Sequence, residues 1–201
     1  MKKILSTLLV LFSLLLFNSE VFALDEIENT RIDLNVGYPT LYTVGLEYVF
    51  SFAGDRFALN ADIGYLPLGK VEDDFELKIL DWSANIRFYF FGDGEGLNFN
   101  AGFLQAYFFA TDTDYVGESG TAEKAEGTIA LNYLRLMLGY RWVWGHFTLS
   151  LNGGYGFILN KNADMEVTYA GYTRTETYDI DEIPKALRNP IFVTIGFGFA
   201  F

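Results

Sequence analysis

The last eleven residues of the sequence read IFVTIGFGFAF, Ile191 to Phe201. Ile191, Val193, Ile195, Phe197, Phe199 and Phe201 take every second position, with Phe192, Thr194, Gly196, Gly198 and Ala200 between them. A period of two sends alternate side chains to opposite faces of a strand. Here one face is bulky and apolar and the other mostly small, so the two faces meet different surroundings.

Seven further segments alternate in the same way. With the last they run over 31–38, 41–52, 56–66, 77–91, 97–109, 130–142, 147–159 and 191–201. Tyr42, Val44, Leu46, Tyr48 and Phe50 share one face of the second; Leu80, Trp82, Ala84, Ile86, Phe88 and Phe90 share one face of the fourth. In the fifth, Gln105 falls on the apolar face, and a bulge near it is expected to repair the register. The opposite faces carry Asp33, Asn35, Asn60, Asp62, Ser83, Asn85, Asn98, Asn100, Thr148, Ser150 and Asn152. With 201 residues, 20 glycines, 4 prolines, 18% aromatic residues and no cysteine, the chain suits one all-β domain without disulfides or thiolate metal sites.

The first 23 residues stand apart. Lys2 and Lys3 precede an apolar run from Ile4 to Phe17, and Val21 and Ala23 are small residues at the spacing of a signal-peptidase site. The run is short for a spanning helix, which needs about 20 apolar residues. Residues 1–23 are therefore expected to be a signal peptide, and 24–201 the barrel domain; cleavage takes the formal charge from −12 to −13 through loss of Lys2, Lys3 and Glu20.

Two architectures share the alternation. A soluble barrel hides its apolar face and wets the polar one; a membrane barrel inverts this. A water-exposed face is normally rich in Lys and Glu. Beyond residue 23 the lysines are Lys70, Lys78, Lys124, Lys161 and Lys185, all in connections or at the start of a strand. The polar face uses Asn, Ser, Thr and Gly, which suit a confined lumen. Short connections (SFAGDR, FGDGEG, VWGH) alternate with longer ones (67–76, 110–129, 160–190), apart from the brief GYPTL. Short turns on one side and long loops on the other are the habit of outer-membrane barrels. Aromatic residues gather at the short-turn end (Phe50, Phe57, Phe88, Phe90, Trp142, Trp144, Phe147, Phe199) and, as Tyr38, Tyr42, Tyr65, Tyr107, Tyr155 and Phe157, at the other; both sets read as interfacial girdles.

The expected fold is thus an all-β, eight-stranded antiparallel up-and-down transmembrane barrel. The ending, with Phe197, Phe199 and Phe201 alternating to the last residue, resembles the C-terminal signal of bacterial outer-membrane barrels, and the region after residue 23 resembles the small eight-stranded barrels of the OmpA and OmpX type. The resemblance implies residence in the bacterial outer membrane, contact with its lipids, and delivery by an assembly machinery that reads the terminal aromatic residue. It carries no family-specific motif.

The lumen face also holds charge: Asp33, Glu47, Asp62 and Asp81 against Arg31, Arg87, Arg135 and Arg141. Eight strands leave an interior just wide enough for side chains, and buried charges must be paired. A salt-bridge network that plugs the barrel is expected, in preference to a gated pathway or a proton relay. Arg135 is expected to lie opposite Gly154. The single histidine, His146, sits in the turn VWGH, far from any nucleophile in sequence; it reads as an interfacial turn residue, and no enzymatic activity is expected. No cofactor or metal site is expected, although the acidic stretches around Glu72, Asp112 and Asp179 leave surface binding of divalent cations open. That acidity argues against nucleic acid as a partner. In 160–190, the Tyr and Thr residues around Gly171 suggest a hairpin continuing the seventh strand, and DEIPKALRN a short helical turn with Asp181 as cap and Pro184 in its first turn. This segment is the candidate site for an extracellular ligand. The composite expectation is a monomer with a structural or surface-interaction role through its acidic loops; the alternative is a narrow channel for small or hydrophobic molecules.

Overall fold

The computed structural model describes residues 29–38, 42–52, 54–72, 75–92, 94–116, 122–160, 162–169, 172–179, 181 and 185–201. The signal-peptide expectation for 1–23 and the placement of Pro184 fall outside them.

Ten strands form one antiparallel sheet: β1 (Thr30–Tyr38), β2 (Tyr42–Phe50), β3 (Phe57–Glu72), β4 (Phe75–Tyr89), β5 (Gly96–Val116), β6 (Ala122–Trp144), β7 (Phe147–Ile158), β8 (Asn162–Tyr169), β9 (Tyr172–Asp179) and β10 (Ile191–Ala200). Neighbours run β5-β4-β3-β2-β1-β10-β7-β6, and β5 pairs with β6, so eight strands close on themselves. The first and last strands meet from Arg31↔Ala200 to Tyr38↔Val193. Closure leaves no edge in the barrel wall, which is the condition for a sheet surrounded by lipid.

Burial settles which face points inward. Along β2 the pattern alternates strictly: Tyr42, Val44, Leu46 and Tyr48 are exposed, while Thr43, Gly45, Glu47 and Val49 are buried. Ile63 is 63% exposed and Glu47 is 0% exposed. The apolar face is the outer one. Aromatic rings band the short-turn end in a chain of contacts, with Phe57 5.2 Å from Phe88, Phe88 5.3 Å from Phe90, and Phe147 5.6 Å from Phe199. Tyr155 and Phe157, 4.9 Å apart, belong to the opposite rim.

Three local expectations change. No bulge forms near Gln105: β5 pairs without a shift from Asn98 to Asp112 on one side and from Gly96 to Asp112 on the other. Gln105 stays on the outer face because its amide is satisfied there. Its oxygen accepts from Trp82 Nε1 at 2.9 Å and the Tyr107 hydroxyl at 2.7 Å, and its nitrogen donates to Asn132 Oδ1 at 3.0 Å. Second, much of 67–76 and 110–129 is strand rather than loop. The β3–β4 and β5–β6 hairpins rise past the rim, since an antiparallel ladder satisfies its own backbone and needs no apolar face to continue. Third, β8–β9 is the expected hairpin, paired through Tyr169↔Tyr172, but β8 attaches to β6 (Ala125–Ile129) after β7 has ended. A single helical turn, Lys185–Arg188, leads back to β10.

Candidate functional site: a layered lumen

Each barrel strand delivers its polar positions inward, and the lumen side chains stack in layers. Nearest the short turns, Glu47 is the hub. It accepts from Arg31 Nη1 at 3.2 Å, Arg141 Nη1 at 2.5 Å, the Tyr89 hydroxyl at 2.8 Å, and Arg87 Nη1. Arg141 also donates to Asp33 Oδ2 at 2.5 Å, and Thr148 donates to the other oxygen of Asp33 at 3.1 Å. Arg31 reaches across to the carbonyl of Gly94 at 2.5 Å. Gly94 has φ of 60°, and a Cβ there would strike the Arg31 guanidinium, so glycine suits both the turn and the close approach.

A second layer lies toward the long-loop end. Arg135 Nη2 donates to Asp62 Oδ2 at 3.0 Å and to Ser83 Oγ at 2.9 Å; Ser83 and Asn85 donate to the same carboxylate at 2.9 and 3.2 Å. Asn60 donates to its other oxygen at 3.2 Å. Asp81 is buried beyond this layer. All seven residues expected to form the network (Asp33, Glu47, Asp62, Asp81, Arg87, Arg135 and Arg141) are buried in the lumen, as is Arg31.

The acids sit where neighbouring strands offer glycine. Asp62 and Asp33 both pair with Gly45, Asp33 also pairs with Gly198, and Asp81 pairs with Gly64. A Cβ at Gly45, Gly64 or Gly198 would collide with the carboxylate of Asp62, Asp81 or Asp33 respectively. Arg135 lies across from Gly102 and Gly156, not Gly154, which faces Met137. The slip is two residues, one full pleat, because β6 and β7 join through a tight Gly145–His146 turn. The Arg135 guanidinium lies 5.7 Å over the Phe192 ring.

Two features escaped the sequence reading. Tyr89 is fully buried and bonded to Glu47, although it shares the inward parity of Arg87. In addition, the long-loop half of the lumen is apolar on its β5, β6 and β10 side: Leu104, Ala106, Leu131, Tyr133, Met137 and Phe192 form a buried cluster where a polar lumen was expected, while Asp81 and Thr43 are buried on β4 and β2. Strand parity puts them inward, but only the barrel's closure shows that they meet.

Outside the lumen, His146 stacks on Phe199 at 5.3 Å, and its Nδ1 lies 3.3 Å from the Ala200 carbonyl. Asp181 accepts from Arg188, the last residue of the helical turn, at 2.5 Å. Phe197 projects outward, 62% exposed, in line with Phe199 and Phe201. Among the described residues, no three His, Asp or Glu side chains converge as a metal site.

The chain matches no protein-family model and no curated protein. Among solved structures it is similar to a major outer membrane protein from Thermus thermophilus, at 12% identity and a TM-score of 0.55, covering 86% of this chain and 98% of that one. It is also similar to Acinetobacter baumannii CarO, at 12% identity and a TM-score of 0.49, covering 86% and 97%. At such identity the likeness concerns the fold alone, and the Thermus structure agrees with the closed ladder seen here: the chain folds as an eight-stranded antiparallel up-and-down transmembrane β-barrel.

Proposed function

We propose that the protein resides in the bacterial outer membrane as a monomer sealed through its middle, with a structural or surface-interaction role exerted by its external extensions. The observation that carries this reading is the inverted burial, with an apolar outer belt around a charged, hydrogen-bonded interior. A side-chain layer in which one carboxylate holds three guanidinium groups stands across the lumen, which favours a sealed barrel over a passage for solutes. Among the described residues, contact with the surroundings falls to the extensions beyond the rim, the β3–β4 hairpin and the sheet of β5, β6, β8 and β9, where Thr173, Arg174 and Thr175 are exposed. Lipids cover the belt, and the assembly machinery reads the ending at Phe197, Phe199 and Phe201. Residues 160–190 are the site for an extracellular ligand.

The second reading, a narrow passage for small or hydrophobic molecules, draws on the apolar upper lumen, but the two polar layers lie across its route. Membrane fractionation combined with planar-bilayer recording tests the pair. The sealed reading expects outer-membrane recovery and no steady current. Recovery in the soluble periplasmic fraction overturns the location, and a stable open conductance overturns the seal.

A further inference from the structure

Above the ion-paired layers, the inside of the barrel changes character. On inward positions of β5, Leu104 and Ala106 follow Asn98 and Asn100, which lie nearer the short turns, and Tyr133 of β6 and Phe192 of β10 face them. With Ile79 and Phe108 they wall a cavity of about 30 Å³. That is space for a water molecule or two.

At its outer end the cavity is also lined by Tyr38, the last residue of β1. Leu187 and Pro190, from the helical turn and the residues after it, form the stopper. Pro190 is anchored, its carbonyl accepting from the Gly156 N–H at 2.9 Å. Leu187 is held through its carbonyl, which accepts from the Tyr133 hydroxyl at 2.6 Å, and through the exposed ion pair of its neighbour Arg188 with Asp181. A four-residue helical turn has little stability of its own. Rotating Leu187 outward enlarges the chamber by a leucine side chain; apolar cavities left by one leucine reach roughly 150 Å³ and accept a benzene-sized ring. One charged group breaks the largely apolar lining: the carboxylate of Asp81, 4% exposed, on the cavity wall, where the Tyr133 hydroxyl is already engaged with Leu187. A largely apolar chamber with a few placed polar groups is the usual form of a small-molecule site.

We propose that this chamber binds a small aromatic molecule carrying one hydrogen-bond donor, a phenol in chemical class, admitted from the long-loop end when Leu187 swings out. The ring packs between Leu104, Phe108 and Phe192, and its hydroxyl donates to Asp81. The site is a cup rather than a pore, because Arg135 and Asp62 lie beneath it. It therefore coexists with a non-conducting barrel, and it requires nothing of the outer surface.

The test is ¹⁹F NMR of 4-fluorophenol titrated against the purified barrel in detergent micelles, with empty micelles as reference and heat-modifiable gel mobility as the check that each variant is folded. Wild type is expected to bind saturably. Leu187→Ala should bind about tenfold tighter, since removal of the stopper removes the need to open it. Ala106→Phe, which fills the chamber, should abolish saturable binding, and Asp81→Asn should weaken it. Absence of saturable binding to folded wild type overturns the proposal, even if Leu187→Ala binds, because the chamber would then exist only in the variant. Binding that survives Ala106→Phe places the ligand on the micelle or the outer wall, and overturns it as well. Wild-type binding unchanged by Leu187→Ala refutes the stopper, and binding unchanged by Asp81→Asn refutes the donor contact.

Discussion

Replacing Glu47 by Gln removes one charge from the barrel and almost no volume. In the wild-type layer, Arg31, Arg87 and Arg141 face Glu47 and Asp33, three positive groups against two negative. The substitution would leave Asp33 as the layer's one carboxylate against all three, and the ion pair of Asp33 is with Arg141. The new amide would also turn two N–H donors toward guanidinium groups that can only donate. Stripping one partner from a buried pair costs about 3–5 kcal/mol. Three arginines share this carboxylate, which places Glu47→Gln at the upper end, about 5 kcal/mol. Reversible urea unfolding of the barrel refolded into lipid vesicles, extrapolated linearly to water, reads the difference. The charge argument makes a second demand. Adding Arg87→Met to Glu47→Gln removes one orphaned guanidinium, so the double variant should regain about 1–3 kcal/mol relative to the single one, the range expected of residues in one network. A Glu47→Gln barrel within about 1 kcal/mol of wild type, or a double variant less stable than the single, would show that the layer is held by packing and neutral hydrogen bonds.

The same geometry ranks two other lumen changes. Arg135→Ala leaves Asp62 with only the neutral donors Ser83, Asn85 and Asn60, and should cost about 3–5 kcal/mol by the same unfolding assay. Arg87→Ala leaves Glu47 with Arg31, Arg141 and Tyr89, so the loss should be only that of a charge-assisted hydrogen bond, about 1.5–3 kcal/mol; the reverse order would contradict the hub role of Glu47. In planar bilayers the wild-type protein should give no steady current, and Glu47→Gln should be the variant most prone to transient openings. Deleting Phe201 removes its two backbone bonds to Thr30, at 2.9 and 3.2 Å, roughly 1–2 kcal/mol, so the shortened chain should still refold in detergent while its outer-membrane level in cells falls; unchanged cellular levels would mean that the ending is not read as a signal.

The sequence alone determined the eight strands of the barrel wall and their polarity, though not their continuation past the rim. Period two is a local property: it shows which residues share a face wherever the strand lies, as in Tyr42 to Phe50 or Ile191 to Phe201. The scarcity of lysine among the polar positions then identified the polar face as the inner one. Gln105 marks the limit of that reasoning. Parity placed it on the apolar face correctly, but the partners that make it tolerable there, Trp82 and Asn132, come from neighbouring strands. Register across strands was the quantity that local pattern could not supply. Arg135 was assigned the wrong glycine by one pleat, and that pleat decides which side chains meet. The hub at Glu47 joins residues 31, 47, 87, 89 and 141, and the apolar chamber joins β4, β5, β6, β10 and Leu187. Both exist only because closing the sheet brings inward positions from separate strands to the same height, a consequence of shear and closure that no single stretch of sequence contains.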